Sequence, residues 1–241
     1  MNDHYLITED RTALRLAFLS SYGLGFITLI TFAFALIAIP ISGANAPSDG
    51  GILYPYLETL EQFPRDYIWQ YIAILMICIY LINIVTIRSI VKKEKQIYIQ
   101  IASVFAIVSS VILLINYFVQ VNVVPISLMN KEYEGIALIT QYNPHGIFIA
   151  MEELGFTMMA ISFGFLVPVF KGKYTRLISK IYLVALGAAA IGFVFVQTTY
   201  GLDKLDRYEV IIITITWIVL ILNGIIIGNK VRKLWVITRD V

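Results

Sequence analysis

A chain of 241 residues that is 59% hydrophobic and 14% charged, with a mean hydropathy of +0.81, lies outside the composition of water-soluble globular domains. Its formal charge of +2 is too small to suit nucleic acid, and its basic residues sit in short clusters at the ends of apolar runs. A single cysteine, Cys78, excludes an intrachain disulfide and a thiolate metal site and reads as a small buried hydrophobe. The two histidines, His4 and His145, are too few for a histidine-rich di-iron or bis-histidine haem centre, so no cofactor or metal is implied.

A spanning helix needs about 20 mostly apolar residues. Six windows qualify: 17–39, 67–87, 97–124, 146–170, 181–202 and 210–229. They predict an all-α, single-domain polytopic protein whose only non-protein partner of necessity is the lipid bilayer. Pro40 and Pro125 are expected to close the first and third helices, since proline cannot continue one. Ala44-Asn45-Ala46 has the form of a signal-peptide cleavage site. The run before it is far longer than a signal core, and it reads as a retained helix.

The longest connection, 41–66, follows the first window. Its 56–63 stretch, with aromatics and leucines between acids, predicts a short helix on the membrane surface. Its acids, Asp49, Glu58, Glu61 and Asp66, lack any ligand spacing and read as a solvated loop. Tyr54, Tyr56, Tyr67, Trp69 and Tyr71 fit an interfacial aromatic belt.

Lysine and arginine set the orientation. The N-terminal tail, the second and fourth connections and the C-terminal tail together hold 14 of them. The first, third and fifth connections hold 4: Arg65, Lys131, Lys204 and Arg207. Both termini are therefore expected in the cytoplasm, and a prokaryotic plasma membrane is the compatible location. In the later helices, Gly224 and Gly228 form a small-xxx-small pair, and Ala185, Ala188, Ala189 and Gly192 a small face. Close contacts within the chain are preferred to an oligomer built on Gly224 and Gly228.

The segment 141–155 stands apart. Asn143 followed by Pro144 reads as a helix cap with proline at the first position, so the fourth helix is predicted to start near His145. Glu152 and Glu153 then lie roughly 10 to 12 Å below that start, inside the hydrocarbon layer. Acids at such depth are costly and face the bundle interior or a wet cavity. Successive helical residues point about 100° apart, so the two carboxylates cannot share a face. Glu153 lies in a stripe with Thr157, Ala160 and Gly164 and is expected to be the more buried; Glu152 lies on the side of His145.

Partners are sought at matching depth. Ser109, Asn116 and Gln120 form one stripe of the third helix, with Asn116 near the level of Glu153. Gln197, Thr214, Thr216 and Trp217 fall in the same layer. An outward-facing pocket follows as an expectation, with Glu152, Glu153, Asn116, Gln120, His145, Asn143, Gln197 and Trp217 as its candidate ligand-binding residues. For Asn116 and Gln120 the stronger expectation is cross-helix hydrogen bonding that holds the bundle together, and Asn83 and Asn223 read as structural.

The NPHGIFxAxEELG pattern at 143–155, the FPRDY segment at 63–67 and the six-helix order resemble a group of uncharacterised prokaryotic multi-pass membrane proteins. The resemblance covers most of the chain. It implies the six-helix fold and carries no activity with it.

Three functions are compatible with these features. The first is binding or transport of a small amphiphile or cation against a glutamate. The second is acid–base catalysis on a lipid-soluble substrate, with one glutamate and His145 as complementary groups. The third is a ligand-free accessory subunit. No nucleophilic triad or phosphate-binding glycine loop is evident, so the enzymatic reading ranks below the first.

Overall fold

The computed structural model describes residues 11–38, 52–170, 172, 175–204 and 206–239. Pro40, the 44–46 pattern, Asp49, His4, Lys171 and Lys173 lie outside the described residues. Among the described residues the chain forms α1 (Arg11–Ile37), α2 (Ile68–Ile90), α3 (Gln96–Asn122), the short α4 (Val124–Met129) and α5 (Ile136–Ile139), α6 (Ile147–Leu166), α7 (Arg176–Tyr200) and α8 (Asp206–Arg239). There is no strand among them. Six of these segments, built on α1, α2, α3, α6, α7 and α8, are long and apolar enough to cross a membrane.

The long helices form a closed ring in chain order. Each packs on its sequence neighbour, α8 returns to α1, and α6 also touches α8. α6 is the most buried of the six and α7 the least. Pairing is antiparallel between neighbours: Tyr117 of α3 meets Glu152 of α6, whereas Ala102 meets Ser162. The clusters Arg88 to Lys95, Arg176 and Lys180, and Lys230 to Lys233 thus gather with Arg11 and Arg15 at one end of the bundle, hereafter the basic end.

The predicted windows locate every long helix and miss several ends. α1, α7 and α8 run further toward the basic end than their apolar windows, because arginine and lysine continue a helix while their charged heads reach past its apolar part. The third helix ends just before Pro125, as expected: α3 stops at Asn122, and Pro125 sits in the first turn of α4, where its missing N–H costs nothing. Cys78 is exposed on the perimeter rather than buried.

The 56–63 stretch departs from a surface helix. It is a 3₁₀ turn over Leu57–Gln62, and Leu60 packs against Val124, Leu128 and Ile136 of α4 and α5. Its neighbours Tyr67 and Trp69 turn into the bundle, leaving Tyr54 and Tyr71 on the exposed rim. Asp66, expected in a solvated loop, is buried. Arg65 Nε donates to its Oδ1 at 2.5 Å, and the Tyr142 hydroxyl to its Oδ2 at 2.7 Å. Gln141 ties the two segments further, donating from Nε2 to the Asp66 carbonyl at 3.4 Å and accepting from Gln70 Nε2 at 2.6 Å. The 63–67 and 141–145 segments therefore lock one cap over the end opposite the basic one.

Two interior features fix helix spacing. A Cβ on Gly224 would stand 2.7 Å from Gly25 Cα and 2.7 Å from the Ser21 carbonyl, so these glycines set the closest approach of α1 and α8. Nearer the basic end, Asn83 Nδ2 donates to Ser21 Oγ at 2.9 Å, Asn223 Nδ2 reaches Asn83 Oδ1 at 3.4 Å, and the Tyr182 hydroxyl donates to Asn223 Oδ1. That network joins α1, α2, α7 and α8, which is the structural role expected of Asn83 and Asn223.

Candidate functional site: a buried glutamate beside a lateral groove

The first turn of α6 begins two residues later than the Asn-Pro dipeptide suggests. Gly146 is the N-cap, and it lies so close to the Leu138 and Asn143 carbonyls that a Cβ would stand 2.9 and 3.0 Å from them. Asn143 instead closes the turn before the helix: its Oδ1 accepts from the His145 N–H at 2.9 Å and its Nδ2 donates to the Ala137 carbonyl at 2.6 Å. His145 is exposed, and Asn143 is half-buried in that turn.

From Ile147 onward the buried positions of α6 are Phe148, Ile149, Glu152, Gly155, Phe156, Met159, Ala160, Ser162, Phe163 and Leu166, and Phe148, Glu152, Phe156, Met159, Phe163 and Leu166 run along one inward stripe at helical spacing. Glu152 lies on that stripe and is 1% exposed, whereas Glu153, turned about 100° away, is only half-buried. The expectation that Glu153 is the more buried is thus reversed. The reason is that the large apolar side chains on both sides of Glu152 in the stripe outweigh the small residues near Glu153 in deciding which face turns inward.

Glu152 meets groups from two other helices. The Tyr117 hydroxyl of α3 donates to its Oε1 at 2.6 Å. Glu209 of α8 lies close enough to act on both Glu152 and Tyr117. Neither Tyr117 nor Glu209 is among the sequence-derived candidates. Glu209 lies one residue outside the apolar window, yet it heads the stripe Glu209, Ile212, Thr216, Leu220, Asn223, Ile227, whose later members are all buried. Extending that period one turn outward would have found it.

Glu153 points to a different place. A cavity of about 380 Å³ lies between α6, α7 and α8, lined by Ala150, Glu153, Leu154, Thr157 and Tyr208 together with Ala189, Ala190, Phe193 and Val194 of α7. Leu154 is 47% and Val194 55% exposed, so the groove opens sideways on the bundle perimeter. Its polar groups are few: the Glu153 carboxyl, and the Thr157 and Tyr208 hydroxyls 2.7 Å apart. The Tyr208 hydroxyl also donates to the Ala189 carbonyl at 3.4 Å, and Gly192 lets α7 close on its ring. Gly164, in the stripe of Glu153 and Thr157, packs on Leu186.

The other candidates do not join this groove. Asn116 Nδ2 donates to the Phe148 carbonyl at 3.0 Å. Gln120 donates to the Ile139 carbonyl and accepts from the Gln141 N–H at 3.0 Å. Both amides are spent on main chain and tie α3 to the α5–α6 turn, as the hydrogen-bonding expectation has it. Gln197 lies a turn beyond Phe193 on α7 and does not line the cavity. Trp217 is buried in an aromatic cluster with Phe32, Trp69 and Phe156 at centroid distances of 5.7, 6.1 and 6.3 Å. Its indole N–H meets no acceptor. Of the eight candidates, Asn116, Gln120, Asn143 and His145 lie at or below the cap, Trp217 in the aromatic core, Glu152 in the bundle interior, Gln197 on α7 outside the cavity, and Glu153 alone in the lateral groove.

Among the described residues no group of three or more histidine, cysteine or acidic side chains is placed to hold a metal ion. No protein-family model, curated protein or solved structure matches this chain.

Proposed function

We propose that this chain is a plasma-membrane protein with both termini in the cytoplasm, and that it binds and transports a small amphiphilic cation. The ligand enters the α6–α7–α8 groove sideways from the bilayer and sets its charge against Glu153. The orientation rests on the split of 14 basic residues against 4 between the two sets of connections. The observation that carries the ligand reading is a half-buried carboxyl in a largely apolar cavity of about 380 Å³ on the bundle perimeter, lined also by the Thr157 and Tyr208 hydroxyls. That volume lies in the range of small-molecule sites, about 300 to 1,000 Å³, and apolar walls with a few polar groups are how such sites are built.

A carboxyl that borders hydrocarbon attracts positive charge. An amphiphilic cation supplies it: the ammonium or phosphonium centre sits by Glu153, and the apolar body lies along Leu154, Phe193 and Val194. The aromatic edge of Phe193, at 5.5 Å from the Tyr208 ring, adds a surface on which a cation or an aromatic substituent packs.

The test uses tetraphenylphosphonium as the probe and the purified full chain in lipid nanodiscs. Saturable binding is expected, with Glu153→Gln lowering affinity by about tenfold or more, since removing the charge partner in a low-dielectric groove costs at least ~1.4 kcal/mol. Unsaturable uptake by the native protein, or affinity unchanged in Glu153→Gln, defeats the reading.

A further inference from the structure

We infer that the cleft between α1 and α8 at the basic end binds an anionic glycerophospholipid, with the lipid phosphate at Arg11 and Arg15 and an acyl chain along Leu16 and Leu19. The inference is independent of the groove at Glu153 and requires only that the bundle sits in a bilayer.

Side chains in the seam between the first and last spanning helices grow larger toward this end. Gly25 and Gly224 bring α1 and α8 to their closest approach. One turn further on, Gly228 faces the Tyr22 ring, and beyond it Phe18 and Trp235 pack with centroids 5.1 Å apart. Larger side chains at a helix contact set a larger distance between the axes. Arg15, ten residues before Gly25, and Trp235, eleven after Gly224, lie roughly 15 to 17 Å along the helices from the glycine contact. There the seam opens into a cavity of about 480 Å³, lined by Arg11, Thr12, Arg15, Leu16 and Leu19 of α1 and by Trp235 of α8.

The lining has the polarity of a lipid, charged at the mouth and apolar below. Arg11 and Arg15 are one turn apart on one face of α1, and both are exposed. Among the described residues neither guanidinium is held in an ion pair. A planar guanidinium takes two phosphate oxygens at once, and two such groups one turn apart can converge on one phosphodiester. Leu19 continues the arginine row one turn deeper with Leu16 beside it, each 48% exposed. Trp235 is half-buried against Phe18, an amphipathic ring at the level where headgroup gives way to chain. Basic pockets between spanning helices are where anionic headgroups are held. A zwitterionic lipid brings its own cation beside the phosphate, which the arginines repel, so charge selects the anionic class. A soluble phosphate would satisfy the arginines and leave the leucine wall uncovered, which favours the lipid as its source.

The test reads tryptophan fluorescence of the full chain in bilayers that mix phosphatidylglycerol with phosphatidylcholine, one of the two brominated high on its acyl chains. Bromine quenches an indole it touches. Trp69 and Trp217 are 9% and 2% exposed inside the bundle, so Trp235 is the reporter, and Trp235→Phe is expected to remove the lipid-selective part of the quench. Phosphatidylglycerol is expected to bind about tenfold or more in preference to phosphatidylcholine. Arg11→Gln and Arg15→Gln each reduce that preference about fivefold, and the double variant brings it near parity. Arg88→Gln with Lys93→Gln removes equal charge from the exposed surface of the same end, outside the cleft, and is expected to keep the preference. Parity in the native chain overturns the inference without any variant, including the case in which an acid of this chain, such as Glu9 or Asp10 just ahead of Arg11, occupies the arginines. A preference untouched by the double variant, lost equally in the Arg88 and Lys93 variant, or still read in Trp235→Phe overturns it as well. Inorganic phosphate added at constant ionic strength separates the two sources of the anion: a preference that it abolishes assigns the arginines to a soluble phosphate and overturns the lipid assignment, and one that it leaves intact supports it.

Discussion

Glu152 and Glu153 differ by one position and by everything that matters to an acid in a membrane. The first is buried in the bundle and accepts from the Tyr117 phenol; the second borders a groove on the perimeter. Residue type and depth were legible in the sequence, since two adjacent acids in an apolar run are conspicuous. Which one turns inward was not, because that depends on how α6 is rotated against α3 and α8. The same holds for Asn116 and Gln120. Their stripe was visible, but their partners are main-chain carbonyls and an N–H that no spacing rule names.

At the cap, Tyr142 offers a test of the lock between the 63–67 and 141–145 segments. Burial, and next the hydrogen bond it gives to Asp66, raise the Tyr142 phenol above its ordinary value of 10.0. A folded-state value above the unfolded one means that its contribution to stability is complete below about pH 10 and is lost as pH rises through the folded value. Thermal unfolding followed from pH 8 to 11 is expected to show a loss of stability at the alkaline end. Tyr142→Phe lowers stability by about 1 to 2 kcal/mol at pH 8 and makes the alkaline decline shallower. An alkaline limb identical in the native and variant proteins would show that this phenol is not its source.

Among elements, the α1–α8 contact depends most on a few small side chains. Gly224 leaves room for Gly25 and the Ser21 carbonyl, and Gly228 is covered by Tyr22, whose hydroxyl donates to Asn229 Oδ1 at 2.7 Å. The small-xxx-small pair lies against α1 within the chain. Gly224→Val places a branched side chain where even a Cβ would stand 2.7 Å from backbone. The first and last spanning helices are then forced apart, and a loss of about 1 to 3 kcal/mol is expected. Differential scanning fluorimetry in detergent reads it, and a melting temperature equal to that of the native chain would mean that the two helices do not depend on this contact. Gly187 is the internal control, because a Cβ there meets nothing within 4 Å.

For the whole molecule, the proposed orientation places the basic end of the ring of helices in the cytoplasm. With Cys78 replaced by Ala, a membrane-impermeant maleimide is expected to label Lys131→Cys in intact cells and Lys233→Cys only after permeabilisation. The reverse pattern would invert the topology and move the α6 carboxyls to the cytoplasmic half.

By itself the sequence determined the all-helical class, the number of helices long and apolar enough to cross a membrane, and the clustering of basic residues at the ends of apolar runs. Each of these follows from counting apolar and charged residues along one dimension, because bilayer thickness fixes a helix length. It also marked 141–155 as exceptional. Tertiary structure decided the rest. Tyr117, Tyr208 and Glu209 enter the site from helices whose own patterns look ordinary, and the helices meet only because large apolar stripes turn inward and glycines let α1 and α8 close. A site assembled from three helices depends on their rotation and offset. Those are set by packing between elements far apart in the chain, which periodicity within any one of them does not encode.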